Sequence, residues 1–333
     1  MHDFRARVAA ELAALVTADE ASLSRSARSA IGAASEWHIS SPFGTAFGPD
    51  GAIETLLLPL RRAFDHCRRR DVIVIGGENR IVPGERWIAS LTHYVGIFST
   101  PLGGLAPSGK LAFLRSGEFY QIVDGQIVRA HIILDLVDLA RQSGRFPFTP
   151  ELGTEIVFPA PATQDGICPM GGDGKASLDR VEAMLADLHH FDPSTHKSAG
   201  QTGLGGYWAE DFLWYGPGGI GSTMGWEGFV ADHRAAFLEA FPDRKGGNHY
   251  CRLGDGAYAA VSGWPSMTMT HRGPYLGAKP TDKALTLRVM DFYRMTGGAP
   301  EPLQIAENWV TLDYIDLFEQ MGVDLVGKAN ALA

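Results

Sequence analysis

Hydrophobic positions along the chain follow a helical period first and a strand period afterwards, and they do so once in each half. In the second half, apolar residues recur at helical spacing over residues 175–190 and 226–241. From residue 248 onward they alternate with polar residues, as in strands with one buried face. We predict strands over residues 211–217, 250–253, 257–264, 267–271, 284–295 and 303–312.

The first half repeats this order. Phe4, Val8 and Leu12 mark a helix at the start, and a second helix is predicted over residues 53–67. Strands are predicted over residues 37–41, 72–76, 87–98, 111–123 and 127–134. Helices followed by strands indicate an α+β fold, in which a curved mixed or antiparallel sheet wraps round about three helices. Such a cone encloses a pocket suited to a ligand.

Two copies of one domain are indicated by an internal repeat. Residues 127–144 (IVRAHIILDLVDLARQSG) match residues 305–322 (IAENWVTLDYIDLFEQMG) at Leu, Asp, Asp, Leu, Gln and Gly. Residues 110–122 match residues 283–295 just upstream. Between the copies lies a segment rich in Pro and Gly, which reads as a linker. We place the domains at residues 1–160 and 161–333.

Composition excludes several classes of function. The net charge of −9 is spread along the chain, and the only basic run, Arg68 to Arg70, is predicted to end a helix, so no nucleic-acid partner is expected. Three distant cysteines give no disulfide framework, which favours a cytoplasmic location. No apolar run is long enough to span a bilayer, so no membrane partner is expected.

Cofactors and metals are not expected either. The Gly-rich stretches at residues 170–175 and 216–221 lack the spacing of phosphate-binding loops. No His or Cys pair has a spacing characteristic of zinc.

The repeat places an Asp at the end of the last strand in both copies, Asp135 and Asp313. Glu307 and Trp309 share a strand face with Asp313, and a mixed polar and aromatic wall of this kind would favour a general base. His131, four residues before Asp135, is the candidate acid/base residue of the first copy. The alternative is that each Asp only caps the helix that follows.

The preceding strand carries an acid and a Tyr in both copies: Asp291 and Tyr293, and Glu118 and Tyr120. These pairs could orient a polar ligand. The alternative is a buried carboxylate held by Tyr or by Arg288.

The second copy resembles the SnoaL-like polyketide cyclases of the nuclear transport factor 2-like superfamily, which share the ketosteroid isomerase type of cone. The resemblance rests on Trp208 and the aromatic strand after it, on Ala240-Phe241-Pro242-Asp243 at a helix end, and on the ending of residues 305–322. The first copy departs from this pattern, because Ala63-Phe64-Asp65 lacks the Pro and His131 stands where Trp309 would.

The resemblance implies a cofactor-independent enzyme in which an acidic residue removes a proton from an activated carbon. The matching position is Asp313, with Asp135 as its counterpart, and Tyr293 or His271 would stabilise the enolate. The predicted ligand-binding residues are Trp214, Tyr215, Asp291, Trp309, Glu307, Glu118 and Tyr120.

The leading hypothesis is a cyclase or isomerase acting on a small hydrophobic or aromatic carbonyl compound. Two alternatives stay open: a dehydratase or epoxide hydrolase that uses a pocket water, and a non-catalytic ligand-binding protein. A close His131 and Asp135, or a paired Asp291 and Asp313, would favour the water-using enzyme. The resemblance also implies that the two copies pair through their sheets as an intrachain pseudo-dimer, with a homodimer of the chain as the other arrangement.

Overall fold

The computed structural model describes residues 3–148, 151–153, 158–198, 200 and 206–332 of the chain. The first domain contains the helices α1 (Phe4–Thr17), α2 (Glu20–Ala30), α3 (Gly48–Ala52), α4 (Leu58–Ala63) and α5 (Leu136–Gln142). Its strands are β1 (Ile31–Ile39), β2 (Gly44–Phe47), β3 (Phe64–Glu78), β4 (Arg86–Phe98), β5 (Leu111–Val123) and β6 (Gln126–Leu134).

The second domain has the same succession of elements. Its helices are α6 (Gly174–Leu188), α7 (Gly225–Phe229), α8 (Ala235–Ala240), α9 (Tyr314–Met321) and α10 (Leu325–Asn330). Its strands are β7 (Trp208–Tyr215), β8 (Ser222–Met224), β9 (Cys251–Asp255), β10 (Tyr258–Thr270), β11 (Ala284–Thr296) and β12 (Gln304–Leu312). Among the described residues, no helix is long and apolar enough to cross a bilayer.

Each domain is built on one six-stranded mixed sheet. The strand orders are β2-β1-β6-β5-β4-β3 and β8-β7-β12-β11-β10-β9. In each sheet one central pair is parallel, β1 with β6 and β7 with β12, and the other pairs are antiparallel. The predicted α+β class with two tandem cones is therefore confirmed. The predicted boundary at residue 160 falls in the segment that connects α5 with α6.

A π-helical turn interrupts the helix that closes each cone. Residues Ile53–Leu57 join α3 to α4, and residues Val230–Arg234 join α7 to α8. The two turns lie 177 positions apart and occupy the same place in their domains. Because a π turn rotates the side chains that follow it and often occurs at functional sites, these turns are useful reference points for comparing the two copies.

The prediction of a helix over residues 53–67 was wrong at its end. The helix stops at Ala63, and β3 begins at Phe64, so the basic run Arg68 to Arg70 lies in a strand. The alternating burial of β3, with Arg69 inside and Arg68 and Arg70 more exposed, shows a strand period in place of a helix end. The short edge strands β2 and β8 were not predicted.

The two sheets pack against each other through the faces opposite those that the core helices cover. One buried apolar cluster combines Ile75, Leu91 and Phe119 of the first sheet with Phe292 and Trp309 of the second. The rings of Phe119 and Phe292 lie 5.7 Å apart between centroids. Both faces of each sheet are thus buried, one inside its cone and one against the other domain.

Candidate functional site

A cavity of about 460 Å³ lies inside the second cone, between the inner face of the sheet and the helices α6, α7 and α8. Much of its wall is aromatic or aliphatic, formed by Trp208, Trp214, Phe229, Phe237, Leu287 and Val310. A volume of this size fits a small organic ligand.

The alternation of side chains along β11 and β12 decides which polar groups reach this cavity. Asp291 and Tyr293 of β11 line it, and so does Asn308 of β12. Their sequence neighbours Phe292 and Trp309 belong to the cluster between the domains. The cavity therefore receives the even positions of β12 and the odd positions of β11.

Asp291 is the acidic group at the sheet wall of the cavity. Burial raises the pKa of its carboxyl to about 7, and hydrogen bonding from Asn308 and Tyr293 opposes this shift. Among the described residues, no Lys, Arg or His forms an ion pair with Asp291. A carboxyl with this pKa can accept and return a proton near neutral pH.

His233 contributes a second polar group from the helical side. It belongs to the π turn Val230–Arg234 and stacks on Trp214, with 4.4 Å between ring centroids and 12° between planes. Burial, together with the charges of Arg234 and Arg244, lowers the pKa of His233 to about 3. The ring is therefore neutral near pH 7, and its Nδ1 has no hydrogen-bond partner in the described part of the chain.

Asp313, the base implied by the family resemblance, does not line the cavity. Its carboxylate caps α9 by accepting from Asp316 N–H, pairs with Arg288 Nη1 at 2.7 Å, and accepts from Ser41 N–H at 3.1 Å in the first domain. Burial raises the pKa of Asp313 to about 6, and Arg288 opposes the rise. Its contacts are those of a helix cap that also joins the two domains.

Asp135 has the matching position and makes the matching contacts. It caps α5 through Asp138 N–H, lies 3.5 Å from Arg115 Nη1, and accepts from Gly218 N–H at 2.9 Å in the second domain. Burial and the neighbouring Asp138 raise the pKa of Asp135. Each Asp thus accepts a hydrogen bond from the other domain, Asp313 from the first and Asp135 from the second.

Glu307, Trp309 and Tyr215 also lie on the interface side of the sheet. Tyr215 donates to Glu307 at 2.9 Å and stacks on Trp309 with 5.1 Å between ring centroids. Trp309 Nε1 donates to Pro159 O at 2.9 Å in the connecting segment. These residues form the shared face that the alternation predicts, but that face is turned away from the cavity.

His131 and His271 lie outside the cavity as well. His131 sits between the domains, stacked on Tyr250 with 4.1 Å between ring centroids and on His38 with 4.7 Å. Burial lowers its pKa well below the usual value. His271 is buried beside Phe241, within hydrogen-bond distance of a Thr hydroxyl. The structure thus brings neither His131 and Asp135 nor Asp291 and Asp313 together around one pocket.

In the first cone the position of Asp291 is taken by Glu118, and neighbouring side chains saturate it. Arg69 Nη1 donates to Glu118 at 2.5 Å, Tyr94 at 2.7 Å, Tyr120 at 2.6 Å and Ser116 at 2.8 Å. Glu118 is fully buried. A carboxylate with these four donors has no free acceptor for a ligand.

The functional candidates that sequence reasoning missed are Asn308, His233, Arg234 and Arg244. The sequence does contain a signal for two of them, because equivalent positions of the two copies carry different residues there. At the offset of the π turns, 177, His233 corresponds to Leu56. At the offset of the last strands, 178, Asn308 corresponds to Ala130.

Among the residues that the structure describes, no group of three His, Cys, Asp or Glu side chains is arranged to hold a metal ion.

Residues 196–321 match the sequence model of the SnoaL-like polyketide cyclase family. A comparison with curated proteins finds no match. Among solved structures, IdmH from Streptomyces antibioticus, described as a candidate polyketide cyclase, is 18% identical, and the match covers 42% of this chain and 98% of that chain with a TM-score of 0.35.

Two further structures are similar over a comparable stretch. A candidate SnoaL-like polyketide cyclase from Jannaschia sp. CCS1 is 15% identical, with 42% of this chain and 92% of that chain covered and a TM-score of 0.33. AclR from Streptomyces galilaeus, described as a candidate hydroxylase, is 18% identical, with 48% and 92% covered and a TM-score of 0.34. Over residues 196–321 the second domain of this chain is thus similar in sequence to the SnoaL-like polyketide cyclase family.

Proposed function

We propose that the second domain catalyses a cofactor-independent proton transfer on a small, largely apolar carbonyl compound, as a cyclase or isomerase, with Asp291 as the general base. The observation that carries the proposal is the place of Asp291: its carboxyl lines a largely apolar cavity and has no ion-pair partner among the described residues. Burial raises the pKa of that carboxyl to about 7. Such a group is basic enough to remove a proton from a carbon acid, and enough of it is ionised at neutral pH to act as a base.

The first step is removal of a proton from the carbon next to the substrate carbonyl. The Asp291 carboxylate takes the proton, and the C–H electron pair moves into an enolate. Hydrogen bonding from Asn308 and Tyr293 favours the charged form of this carboxylate by lowering its pKa, and Asn308 Nδ2 also donates to Phe292 O at 3.1 Å. Burial keeps the pKa of Tyr293 well above its usual value, so Tyr293 stays a donor throughout.

The enolate oxygen needs a donor, and His233 is placed to provide one. A neutral imidazole carries one N–H, and the proton on its cavity side can stabilise the developing negative charge. The stack on Trp214 fixes the ring plane. The enolate then attacks a second carbonyl of the same molecule and Asp291 returns its proton to the alkoxide, or Asp291 returns the proton to a different carbon.

The test uses 5-nitrobenzisoxazole, a planar carbon acid whose ring opens to a coloured phenolate when one base removes one proton. Asp291→Asn is expected to lower kcat/KM by about 100-fold or more, the usual worth of a positioned base. Asp313→Asn is the matched comparison, because it is the same change at another Asp of this domain whose pKa is raised, but one that does not line the cavity.

We expect the Asp313→Asn protein, once shown to be folded by circular dichroism, to keep most of its rate. The reverse result, a rate lost in Asp313→Asn and kept in Asp291→Asn, would return the role of base to Asp313. A rate unaffected by both changes would favour the non-catalytic ligand-binding alternative.

A further inference from the structure

Two arginines without a carboxylate partner lie at the helical end of the cavity. Arg234 and Arg244 both line it, and Arg234 is only 5% exposed. Arg234 donates to the carbonyl oxygens of His196 and Leu188, at 2.6 and 3.0 Å. Arg244 has one weak contact, from Nη2 to Leu188 O at 3.5 Å. Both guanidinium groups lie against the ring of Phe191, at 5.3 and 5.2 Å.

Neither arginine has an ion pair with a described carboxylate, and Asp187 acts on Arg234 only from beyond ion-pair distance. Three arginines of the described part of the chain are buried, Arg69, Arg115 and Arg234. Arg69 pairs with two carboxylates and so does Arg115, whereas no described Asp or Glu lies within ion-pair distance of Arg234 or Arg244. Carbonyl oxygens satisfy donors but leave a full positive charge in place, which is costly in an apolar environment.

The charges of Arg234 and Arg244 change the pKa values of neighbouring groups. Burial, together with the charge of Arg244, lowers the pKa of Arg234 to about 10, and the charge of Asp187 opposes this shift. Burial lowers the pKa of His189, which also lines the cavity, and the charges of Arg244 and Arg234 contribute to this shift. Like charges held together in this way favour the binding of an anion between them.

His249 adds a neutral donor to the cavity wall. Its Nδ1 accepts from Arg252 Nε at 3.1 Å, so the ring proton resides on Nε2. Burial lowers the pKa of His249 to about 4, which keeps the ring neutral. Lys245 lines the cavity beside Arg244.

The two copies carry their buried arginine at different positions of the cone. At the offset of 177, Arg234 corresponds to the buried Leu57. The same offset places Gly246 where Arg69 stands in the first copy. The strand pairing agrees with this correspondence between the two copies. Lys245 pairs with Thr268, and Gly246 therefore lies opposite Met267. The first cone thus pairs its cation with its acid, whereas the second leaves the acid unpaired and carries its cations at the other side of the cavity.

We infer that the substrate of the second domain carries an anionic oxygen group, a carboxylate or a phosphate, which Arg234 and Arg244 bind while the apolar body of the substrate extends towards Asp291. The inference rests on the proposed function in that it names the substrate class of the same cavity. Planar guanidinium groups match the oxygens of both kinds of anion. The anion orients the substrate so that its carbonyl end, not its charged end, meets the base.

The experiment compares three naphthalene probes, 2-naphthoate, 2-naphthamide and 2-naphthyl phosphate, by quenching of tryptophan fluorescence in the full chain. Binding is measured in the Asp291→Asn background, which removes repulsion between the acid and the anions. We expect 2-naphthoate or 2-naphthyl phosphate to bind at least tenfold more tightly than 2-naphthamide at low salt. Which anion binds more tightly distinguishes the carboxylate from the phosphate.

Arg244→Gln in that background should abolish the preference, and Arg244→Lys should restore part of it. Arg244 is chosen because it makes a single weak hydrogen bond, so its replacement should leave the fold intact. The exposed Arg272, which pairs with Asp282, provides the control change Arg272→Gln. Equal binding of acid and amide, or an anion preference that survives Arg244→Gln, would overturn the inference.

The two proposals fail separately. If the anion preference is absent but Asp291→Asn still abolishes the turnover of 5-nitrobenzisoxazole, the substrate class is wrong and the base stands. If the anion preference is present and depends on Arg244, but Asp291→Asn leaves the turnover of 5-nitrobenzisoxazole unchanged, the anion site is supported and the catalytic proposal fails.

Discussion

The same acid-to-amide change in the two copies should have opposite effects on stability. Asp291 and Glu118 occupy equivalent positions, but Asp291 is unpaired in a cavity and Glu118 accepts from Arg69, Tyr94 and two other donors. We expect Asp291→Asn to stabilise the folded protein at pH 8 and Glu118→Gln to destabilise it.

The magnitude for Asp291 follows from its pKa. A rise from 3.8 to about 7 means that ionisation costs the folded state about 4 kcal/mol more than the unfolded state, at about 1.4 kcal/mol for each pKa unit. Because the folded-state pKa is the higher one, this stability is present below pH 4 and is lost as the pH rises to 7. Asn carries no charge, so its advantage should approach 4 kcal/mol at pH 8 and be less than half of that at pH 5.

The magnitude for Glu118 follows from the buried charge that it neutralises. Gln would leave Arg69 with only Asp71, at 2.8 Å, as a carboxylate partner. Removing one partner of a buried ion pair lowers the free energy of unfolding by about 3 kcal/mol.

Urea unfolding, followed by tryptophan fluorescence and far-ultraviolet circular dichroism, measures both effects. Wild type and the two variants are compared at pH 5 and pH 8. Stabilisation by Asp291→Asn that grows with pH, together with destabilisation by Glu118→Gln, is the expected pattern. A shift of both variants in the same direction at pH 8 would refute the reasoning that the second cone lacks the pairing of the first.

Three further changes test separate parts of the site and fold. His233→Phe keeps the stack on Trp214 but removes the N–H, so turnover of 5-nitrobenzisoxazole should fall about tenfold or more with little change in probe binding; an unchanged rate would exclude His233 as the donor. Tyr293→Phe removes a hydrogen bond that lowers the pKa of Asp291, so the rise of kcat/KM with pH should move above pH 7, and a downward move would contradict that contact. Trp309→Ala should lower the free energy of unfolding by about 3–5 kcal/mol in urea titrations while binding of 2-naphthamide persists, since its ring packs between the domains; lost binding in a folded protein would place Trp309 at the ligand.

Much of the fold could be predicted because each copy repeats the same order of periods. Alternation also showed correctly that Glu307 and Trp309 share one face. It could not show which face enters the cone, because both faces of each sheet are buried and apolar. In a single domain the polar face would have faced solvent, and the pattern would have decided the question.

The candidate site was harder to predict, because the strongest sequence signal marked the fold. Asp135 and Asp313 recur because each caps a helix and accepts a hydrogen bond from the other domain. The ion pair that saturates Glu118 joins residues 49 positions apart, and irregular pairing of β3 on either side of Arg69 hides its register from a sequence pattern. Positions that differ between the copies were the better guide, as His233 and Leu56 show.

The central claim is that the second cone holds an ionisable acid whose environment raises its pKa to neutrality. Carboxyl ¹³C nuclear magnetic resonance of Asp-labelled protein, titrated from pH 3 to pH 9, measures this directly when wild type is compared with Asp291→Asn. We predict that the resonance missing from the variant has its midpoint near pH 7. A missing resonance with a midpoint near pH 4 would contradict the account, because Asp291 would then be an ordinary carboxylate and a weak base.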